Sequence, residues 1–339
     1  VMIRLPSISV ITATLNCDRT LRECYARLAE QDYPKELLEF IAVDGGSSDH
    51  TADVAASFGA RFINGGYRDN QEARRCVGLR YAKREIVLFL DSDNYLPEKS
   101  WLRQMIEPFT EQDIIATQPM RYLYEPKETL MNRYFALFGV NDPVPFYLKK
   151  SDRLSYLFDS WNLKGEILKE NGNYYKIDFN AEELPTIGSN GFLIRKNILD
   201  TLDLNPDEFF HIDIHIDLIK KGFTKYGIVK NGIIHSTGET FWKNIVKRVN
   251  YMKIHYEGLS KLRRYKVFDG SVREDRINLI KFIFYSLTFI EPLYLSIRGC
   301  ARVRDRSWFI HPFVCFGFLL AYAYACILNV LAHNNRLTS

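Results

Sequence analysis

The 339-residue sequence lacks the short motifs of several large nucleotide-binding classes. No G-x-G-x-x-G fingerprint follows the first apolar segment and no G-x-x-x-x-G-K-S/T loop occurs, which disfavours a dehydrogenase and a P-loop NTPase. The six cysteines form no Cys-x-x-Cys pair and no zinc spacing, which favours a reducing compartment. A net charge of +4 is too small over this length to indicate a nucleic-acid partner. We also expect no signal peptide, and no internal repeat is present.

The composition is that of an ordinary globular protein, with 47% apolar and 25% charged residues. The clearest single element is the run Ile86–Leu90, five apolar residues that predict a strand buried on both faces of a parallel sheet. Asp91 and Asp93 follow it directly. Because ligands bind beyond the carboxyl ends of such strands, these two carboxylates suit Mg²⁺ or Mn²⁺ carrying a substrate diphosphate. A turn that only caps the strand is the alternative interpretation.

The N-terminal third alternates between strand and helix patterns. Strands are predicted over 8–14, 38–43 and 60–63, and helices over 18–31, 51–57 and 70–82, with Asp49 as the N-cap of the second helix. This β-α-β-α-β alternation predicts a parallel sheet with helices on both faces. Asp44 ends the second strand, so we expect Asp44 and Asp91 at the same edge of the sheet.

Three segments in register carry a family resemblance: Ser9–Asn16, Val43–Thr51 (VDGGSSDHT) and Leu90–Asn94 (LDSDN). Their order and spacing resemble those of the family 2 glycosyltransferases of GT-A fold, over residues 7–240. The resemblance implies an α/β fold with a Rossmann-like, mostly parallel sheet flanked by helices. It also implies an inverting transfer from a nucleoside-diphosphate sugar, here a UDP-sugar, with a divalent metal as cofactor.

The same resemblance implies roles for individual residues. Nucleotide contacts fall on Thr14, Asp44, Arg74, Asp91 and Ser92, with Thr14 and Asp44 at the base and Arg74 at the base or phosphates. The metal ligands are Asp91, Asp93 and His235, where His235 ends a predicted edge strand over 228–235. The chain departs from the family pattern at Gly45, where a second Asp is common, and at Arg75, where Asn is common.

The second half holds two further candidate segments. A Gly-Ser-Asn-Gly turn, with Gly188, Asn190 and Gly191, precedes an apolar strand, and its backbone can approach a donor sugar or acceptor closely. A plain turn is the alternative. We also predict a helix over 101–109 and a strand over 114–118. The aromatic region 122–175 is interpreted either as packed helices or as an acceptor-binding insertion.

The catalytic base is expected in the segment 210–218, which Gly222 ends in the manner of a helix. His211 and His215 lie one turn apart and could bind zinc, but the remaining ligands of a zinc site are missing. Counting back from Gly222 and His235 aligns the family's catalytic acid with His211 and the next acid with Asp213. Both side chains are chemically able to act as base. We predict Asp213, because the family uses a carboxylate, and keep His211 as the alternative.

The C-terminal region predicts membrane association. Apart from titratable His311, residues 308–332 carry no formal charge and are long enough to cross a bilayer, whereas 277–297 are interrupted and suit an interfacial or re-entrant segment. Basic residues favour the cytoplasmic side: Lys243, Lys247, Arg248, Lys253, Lys261, Arg263, Arg264, Lys266, Arg298, Arg302, Arg304 and Arg306. The predicted domains are a catalytic domain over 1–242 (nucleotide half 1–97, acceptor half 98–242), a basic linker over 243–276 and a membrane-associated helical region over 277–339.

The sequence thus predicts a membrane-associated glycosyltransferase of polysaccharide biosynthesis, which uses a nucleotide sugar and a glycan or lipid-linked acceptor at the cytoplasmic face. A polyprenyl-phosphate sugar transferase is the nearest alternative. A nucleotidyltransferase and a non-catalytic membrane scaffold are alternatives of other classes.

Overall fold

The computed structural model describes residues 4–252 and 262–337, with side chains as far as residue 328. Residues 253–261 of the predicted basic linker, with Lys253 and Lys261, lie outside the described residues. The described strands, in chain order, are β1 Ile8–Thr14, β2 Leu38–Asp44, β3 Arg61–Asn64, β4 Ile86–Phe89, β5 Asn94–Tyr95, β6 Ala116–Tyr122, β7 Glu166–Glu170, β8 Tyr174–Asp178, β9 Phe192–Arg195 and β10 Lys225–His235.

The described helices are α1 Asp18–Ala29, α2 Thr51–Ser57, α3 Gln71–Leu79, α4 Trp101–Ile106, α5 Leu130–Phe138, α6 Pro143–Tyr147, α7 Lys196–Leu199, α8 His211–Lys220, α9 Phe241–Met252, α10 Arg273–Thr288, α11 Ile290–Arg302 and α12 His311–Leu337. The chain divides into two compact units. The first comprises Val1–Leu123 and Lys164–Ser236, and the second comprises Tyr124–Leu163 and Thr237–Ser339. The domain limits predicted from the sequence stay a prediction.

All strands of the first unit belong to one sheet, in the order β3-β2-β1-β4-β9-β6-β10-β8-β7, with β5 paired to β10. The half formed by β3, β2, β1 and β4 is parallel throughout, as predicted. Beyond β4 the sheet is mixed, because β9 runs antiparallel to both β4 and β6. Every residue of β1 and β4 is buried, which fits strands covered on both faces.

The prediction that 228–235 form an edge strand is wrong. β10 lies inside the sheet, parallel to β6 on one side and antiparallel to β8 on the other. The outer position belongs to β7, whose five residues are all exposed. Its charged residues Glu166, Lys169 and Glu170 are typical of a protected sheet edge. The sequence did not predict the antiparallel β7–β8 pair, because the exposed strand β7 has no buried face and hence no alternation of apolar residues.

Other boundaries shift by a few residues. The helix predicted over 101–109 ends at Ile106, and a 3₁₀ turn with Pro108 near its start follows over Glu107–Thr110. The strand predicted over 114–118 runs instead over Ala116–Tyr122. The helix predicted over 70–82 spans Gln71–Leu79, and Asn70 is its N-cap, because the Asn70 side chain accepts a hydrogen bond from the Ala73 backbone at 3.1 Å.

The second unit is helical in the described residues. Trp308, Val314 and Phe318 of its C-terminal part pack in one buried cluster with Tyr134 and Phe138 of α5. α10 and α11 form a pair bent by 82° at Phe289, whose φ is +62°. By length and composition, Arg306–Leu328 could cross a membrane, and the bent pair passes the same test when it is taken as one segment.

Candidate active site

Asp44 organises the loop that follows β2. Its Oδ1 accepts hydrogen bonds from Thr14 Oγ1 and Ser47 Oγ (3.0 and 2.6 Å), and its Oδ2 accepts from the backbone of Gly46 and Ser47 (2.8 and 2.7 Å). Burial alone raises the pKa of this carboxyl group, but the bonds from Ser47, Gly46 and Thr14 hold that pKa below its ordinary value. The predicted base-binding residues Thr14 and Asp44 therefore lie in direct contact, with the carboxylate ionised.

Arg74 packs against the same loop. Its Nη1 donates hydrogen bonds to the carbonyl oxygens of Tyr67 and Arg68, at 2.7 and 2.8 Å. A Cβ atom at Gly45 would lie 2.8 Å from this nitrogen, so the guanidinium fills the space that a side chain at position 45 would need. The glycine in place of the family's second Asp therefore has a steric explanation.

Asp91 is held by the helix beside it. Arg75 Nη2 donates to both carboxylate oxygens of Asp91, at 2.8 and 2.7 Å, and Gln71 Nε2 donates to one of them at 2.9 Å. The Arg75 side chain is only 5% exposed, so the pair is a shielded, charge-assisted one. The neighbouring Ser92 Oγ accepts a long bond of 3.4 Å from Thr20 Oγ1.

Strand pairing brings Asp93 next to His235. β5 pairs antiparallel with the end of β10, with Asn94 opposite His235, and the backbone N–H of Ser236 donates to the Asp93 carbonyl at 2.8 Å. As a result, Asp93 Oδ2 lies 3.6 Å from His235 Nε2. The Asp93 side chain is 30% exposed and that of His235 is 8% exposed. These two predicted metal ligands, far apart in the sequence, share one corner of the sheet.

The glycine loop reaches the same corner. Asn190 Nδ2 donates to the Tyr122 hydroxyl at 2.9 Å, and the Tyr122 ring stacks on His235 with 5.2 Å between ring centroids. The backbone is left-handed at Asn190 (φ +55°) and at Gly191 (φ +81°). The predicted donor-sugar loop is thus connected to His235 through one aromatic side chain.

Gly188 makes the closest approach of this loop to α8. A Cβ atom there would lie 2.5 Å from His215 Nε2, and its φ of +117° is strained for any other residue. His215 is fully buried and its Nδ1 lies 3.0 Å from the Tyr226 hydroxyl. Burial, with a smaller contribution from His211, lowers the pKa of His215 to about 3. This histidine is therefore neutral at physiological pH and packs as part of the core.

The first turn of α8 holds both candidate bases. His211 Nδ1 lies 2.9 Å from Glu72 Oε1, and the His211 backbone N–H donates to Glu72 Oε2 at 2.9 Å. The His211 side chain is 13% exposed, whereas Asp213 is fully buried. The sequence motifs predicted no function for Glu72. Its only signal in the sequence is its spacing of three residues from Arg75, which places the two on one face of α3.

The donor atoms of the site can be compared with the ligands that a divalent cation prefers. Within residues 4–252 and 262–328, no three His, Cys, Asp or Glu side chains converge on a point that could hold an ion. Asp93 and His235 form a pair of oxygen and nitrogen donors, which suits Mn²⁺ when substrate oxygens supply the remaining ligands. Asp91, with both oxygens bonded to Arg75, does not join them in this arrangement. The i, i+4 histidines of α8 form no zinc site, since each has another partner.

The structure therefore gathers the predicted residues into three neighbouring groups. Thr14, Asp44 and Arg74 line the first loop, and Asp93 and His235 meet at the β5–β10 pairing. Asp91 and His211 are connected through Arg75 and Glu72, since Arg75 bonds to Asp91 and to Glu72, and Glu72 contacts His211. Which of them bind nucleotide, metal or sugar stays a prediction.

Comparison with known proteins assigns the family. The family model described as glycosyl transferase family 2 matches residues 9–199, more than half of the chain. The chain therefore belongs to glycosyl transferase family 2, which confirms the resemblance seen in the three sequence motifs.

Individual relatives are more distant. The chain is 27% identical over 161 residues to the 4,4'-diaponeurosporenoate glycosyltransferase of Staphylococcus haemolyticus, covering 44% of this chain and 42% of that protein. It is 32% identical over 105 residues to glycosyltransferase AglE of Haloferax volcanii, covering 30% of this chain and 34% of that protein. The chain thus matches less than half the length of either relative.

A solved structure agrees over nearly the whole chain. The mannosyltransferase PcManGT from Pyrobaculum calidifontis, solved with GDP-Man and Mn²⁺, matches with a TM-score of 0.54 at 13% identity. The match covers 95% of this chain and 88% of that one. At this identity the match concerns the fold alone, and it confirms the predicted GT-A architecture.

Proposed function

We propose that the protein is an inverting glycosyltransferase that moves a sugar from a nucleoside-diphosphate sugar to a hydroxyl group of a glycan or lipid-linked acceptor. The observation that carries this proposal is the pairing of β5 with β10, which sets Asp93 beside His235 at 3.6 Å. The loop that Asp44 shapes at the end of β2 lies at the same edge of the parallel sheet. Such an edge is where α/β sheets bind nucleotides.

In the proposed donor site, different residues contact different parts of the nucleotide. Thr14, Asp44 and the loop around Gly45 would contact the base, while Asp93 and His235 would hold a divalent cation at the diphosphate. Such a cation, Mn²⁺ or Mg²⁺, neutralises charge on the departing nucleoside diphosphate. UDP-sugars are the donors proposed from the sequence. GDP-mannose is the comparison donor, because the Pyrobaculum enzyme was solved with it.

The acceptor is proposed to be reached at a membrane. In the second unit, large apolar side chains are exposed along α10, α11 and α12, with Ile280, Leu287 and Ile290 exposed by 66, 59 and 69%. An exposed apolar surface of this kind marks a protein or membrane contact. The arginines at 298, 304 and 306 are exposed beside it and would favour the anionic cytoplasmic face.

A polyprenyl-phosphate sugar transferase is the second candidate, and the same exposed apolar helices favour it. A lipid phosphate is already ionised and attacks without a general base. The two candidates therefore differ in whether turnover needs a proton acceptor in the site.

The test is a panel of nucleotide sugars with the purified full chain in detergent. UDP-glucose, UDP-N-acetylglucosamine and GDP-mannose are added with and without Mn²⁺, and the melting temperature and nucleoside-diphosphate release are recorded. We expect Mn²⁺-dependent stabilisation by at least one donor and release of its diphosphate. Pyrophosphate release from UTP or GTP would instead indicate a nucleotidyltransferase. No binding of any donor would contradict the proposal.

A further inference from the structure

We infer that the general base is His211, held by Glu72 with its proton on Nδ1 so that Nε2 takes the proton of the acceptor hydroxyl. The inference rests on the proposed glycosyl transfer and adds a positioning residue, Glu72, to it. It also decides between the two candidate bases of α8, which the sequence left open.

Two contacts fix the histidine to Glu72. One carboxylate oxygen lies 2.9 Å from His211 Nδ1 and the other accepts the His211 backbone N–H at 2.9 Å. Glu72 therefore holds both the ring and the start of the helix that carries it. The His211 ring is also stacked on Phe210, with 4.9 Å between ring centroids. The ring thus has one preferred orientation, which a proton acceptor needs.

The charge of Glu72 assigns the tautomer. Burial raises the pKa of this carboxyl group, but Arg75 and His211 outweigh burial and hold the pKa well below its ordinary value. An ionised carboxylate only accepts hydrogen bonds, so the short Nδ1 contact requires a proton on Nδ1. The neutral imidazole then carries its lone pair on Nε2.

The contact between Arg75 and His211 does not change this tautomer. Arg75 Nη1 donates to Glu72 Oε1 at 2.5 Å and lies 3.4 Å from His211 Nδ1. A guanidinium has no acceptor, and a protonated Nδ1 cannot accept, so this longer contact is no hydrogen bond. Arg75 instead fixes the Glu72 carboxylate and, through its other nitrogen, Asp91. The Arg75 guanidinium therefore lies between Glu72, which holds the base, and Asp91, the first aspartate of the LDSDN motif.

Exposure separates His211 from its neighbours. Its Nε2 has no hydrogen-bond partner within residues 4–252 and 262–328, and it is not among their enclosed, unsatisfied polar atoms. A water or an acceptor can therefore reach it. Asp213 is fully buried and has interactions of its own. His215 is buried too, with Nε2 enclosed beneath Gly188.

The residues described above account for every bond and proton of the proposed transfer step. The acceptor O–H bond breaks and its proton moves to His211 Nε2. The oxygen forms a bond to the anomeric carbon as the bond from that carbon to the diphosphate breaks. The electron pair of that bond leaves with the nucleoside diphosphate, and the imidazolium formed is stabilised by ionised Glu72. The proton is then released to solvent.

The first experiment compares variants of the full chain in detergent, following diphosphate release from the donor panel between pH 5 and 9. His211→Ala should lower turnover by about 10²-fold or more, and added imidazole should restore part of it. His211→Asp should keep part of the activity and move the acid limb of the profile to lower pH, because carboxylic acids ionise roughly two units below imidazoles. Asp213→Asn should cost less than His211→Ala.

Glu72→Gln tests the positioning role. We expect a loss of about 10-fold or more in kcat with unchanged KM for the donor, as for carboxylates that orient metal-binding histidines. The matched control is Asp53→Asn, which removes an exposed His50–Asp53 pair of 3.0 Å without altering turnover. Equal turnover of wild type, Glu72→Gln and His211→Ala would overturn the inference, even if donor binding confirms the proposed function.

A second measurement does not need turnover. Diethyl pyrocarbonate acylates accessible, unprotonated imidazole nitrogens, and peptide mass spectrometry locates them. At pH 7 we expect modification of His211 and none of His215, with Glu72→Gln altering the rate at His211. An unreactive His211 would overturn the inference. Failure of donor binding alone, with His211 reactive, would instead count against the proposed function.

Discussion

Arg75 binds Asp91 through both carboxylate oxygens, at 2.8 and 2.7 Å, with the two side chains only 5 and 15% exposed. The same guanidinium contacts Glu72, so one cation serves two carboxylates, the buried Glu72 and the partly buried Asp91. In most soluble proteins a cation in this position would be a stability element only. Here it also engages both oxygens of Asp91, so Asp91 does not join Asp93 and His235 in this arrangement.

Replacing Arg75 should therefore destabilise the first unit. Arg75→Asn leaves Asp91 and Glu72 without their cation, which costs about 3 kcal/mol or more for a buried pair. Arg4→Asn is the control, because the Arg4–Glu85 pair is exposed by 84 and 48% and should contribute about 1 kcal/mol or less. Urea titration of both variants measures the difference. Adding Glu72→Gln to Arg75→Asn should recover part of the loss, and no recovery would contradict the shared-cation account.

Asp93→Ala should remove metal-dependent nucleotide binding while leaving the fold intact. The Asp93 side chain is 30% exposed, so its loss creates no buried cavity, but the oxygen donor beside His235 is gone. Calorimetry with UDP and GDP, with and without Mn²⁺, is the measurement. Asp203→Ala, at an exposed position, is the control. Undiminished Mn²⁺-dependent binding in Asp93→Ala would rule out this metal assignment.

Lowering the pH should weaken the hydrogen-bond network that surrounds Glu111 beside β8. Hydrogen bonds from Lys169, Lys176 and Tyr174 lower the pKa of Glu111 from 4.5 to about 2. Because the folded-state pKa is the lower one, the stabilisation is complete above the ordinary pKa and is lost as the pH falls towards 2. The difference in melting temperature between wild type and Glu111→Gln should therefore shrink between pH 5 and 3. A constant difference would show that the network contributes nothing through its charge.

Membrane attachment should depend on exposed apolar residues of α10 and α11. Deleting everything from Arg298 onward is a poor test, because Trp308, Val314 and Phe318 belong to the core of the second unit. Serine substitution of Ile280, Leu287 and Ile297 removes exposed surface only. We expect a smaller fraction of this triple variant to float with liposomes.

The control for this triple variant lies on β7. Ile167 and Leu168 are each 43% exposed on the first unit, and their replacement by serine should leave flotation unchanged. If the triple variant floats as well as wild type, Ile280, Leu287 and Ile297 do not contribute to membrane attachment.

The sequence predicted those parts whose signal is local. The buried strand β4 that precedes Asp91 and Asp93, and the helical character of the segment 210–218, were predicted from pattern and spacing. It did not predict the contact of Glu72 with His211, which joins helices 139 positions apart. Nor did it predict the position of β10, since the exposed β7 carries no periodicity to reveal it. The resemblance placed Asp93 near His235, but only the antiparallel β5–β10 pairing gives the reason.

The departures from the family pattern are explained by neighbouring residues. Gly45 leaves the space that Arg74 fills, and Arg75 replaces an amide with a cation that binds Asp91. Both changes lie on or beside α3, where two successive arginines point to different partners. Their meaning depends on contacts across the fold, and a single sequence does not contain those contacts.

The pairing of Asn94 with His235 also bears on when the protein becomes competent. During synthesis the loop that Asp44 shapes and the LDSDN motif emerge early, but β10, which supplies His235, is the last described strand of the first unit to be made. Long-range pairings of this kind form late, because a large loop must close before they give any stability. A growing chain would thus lack one of the two proposed cation ligands until β10 joins the sheet, so that metal-dependent donor binding would report on completed folding of the first unit.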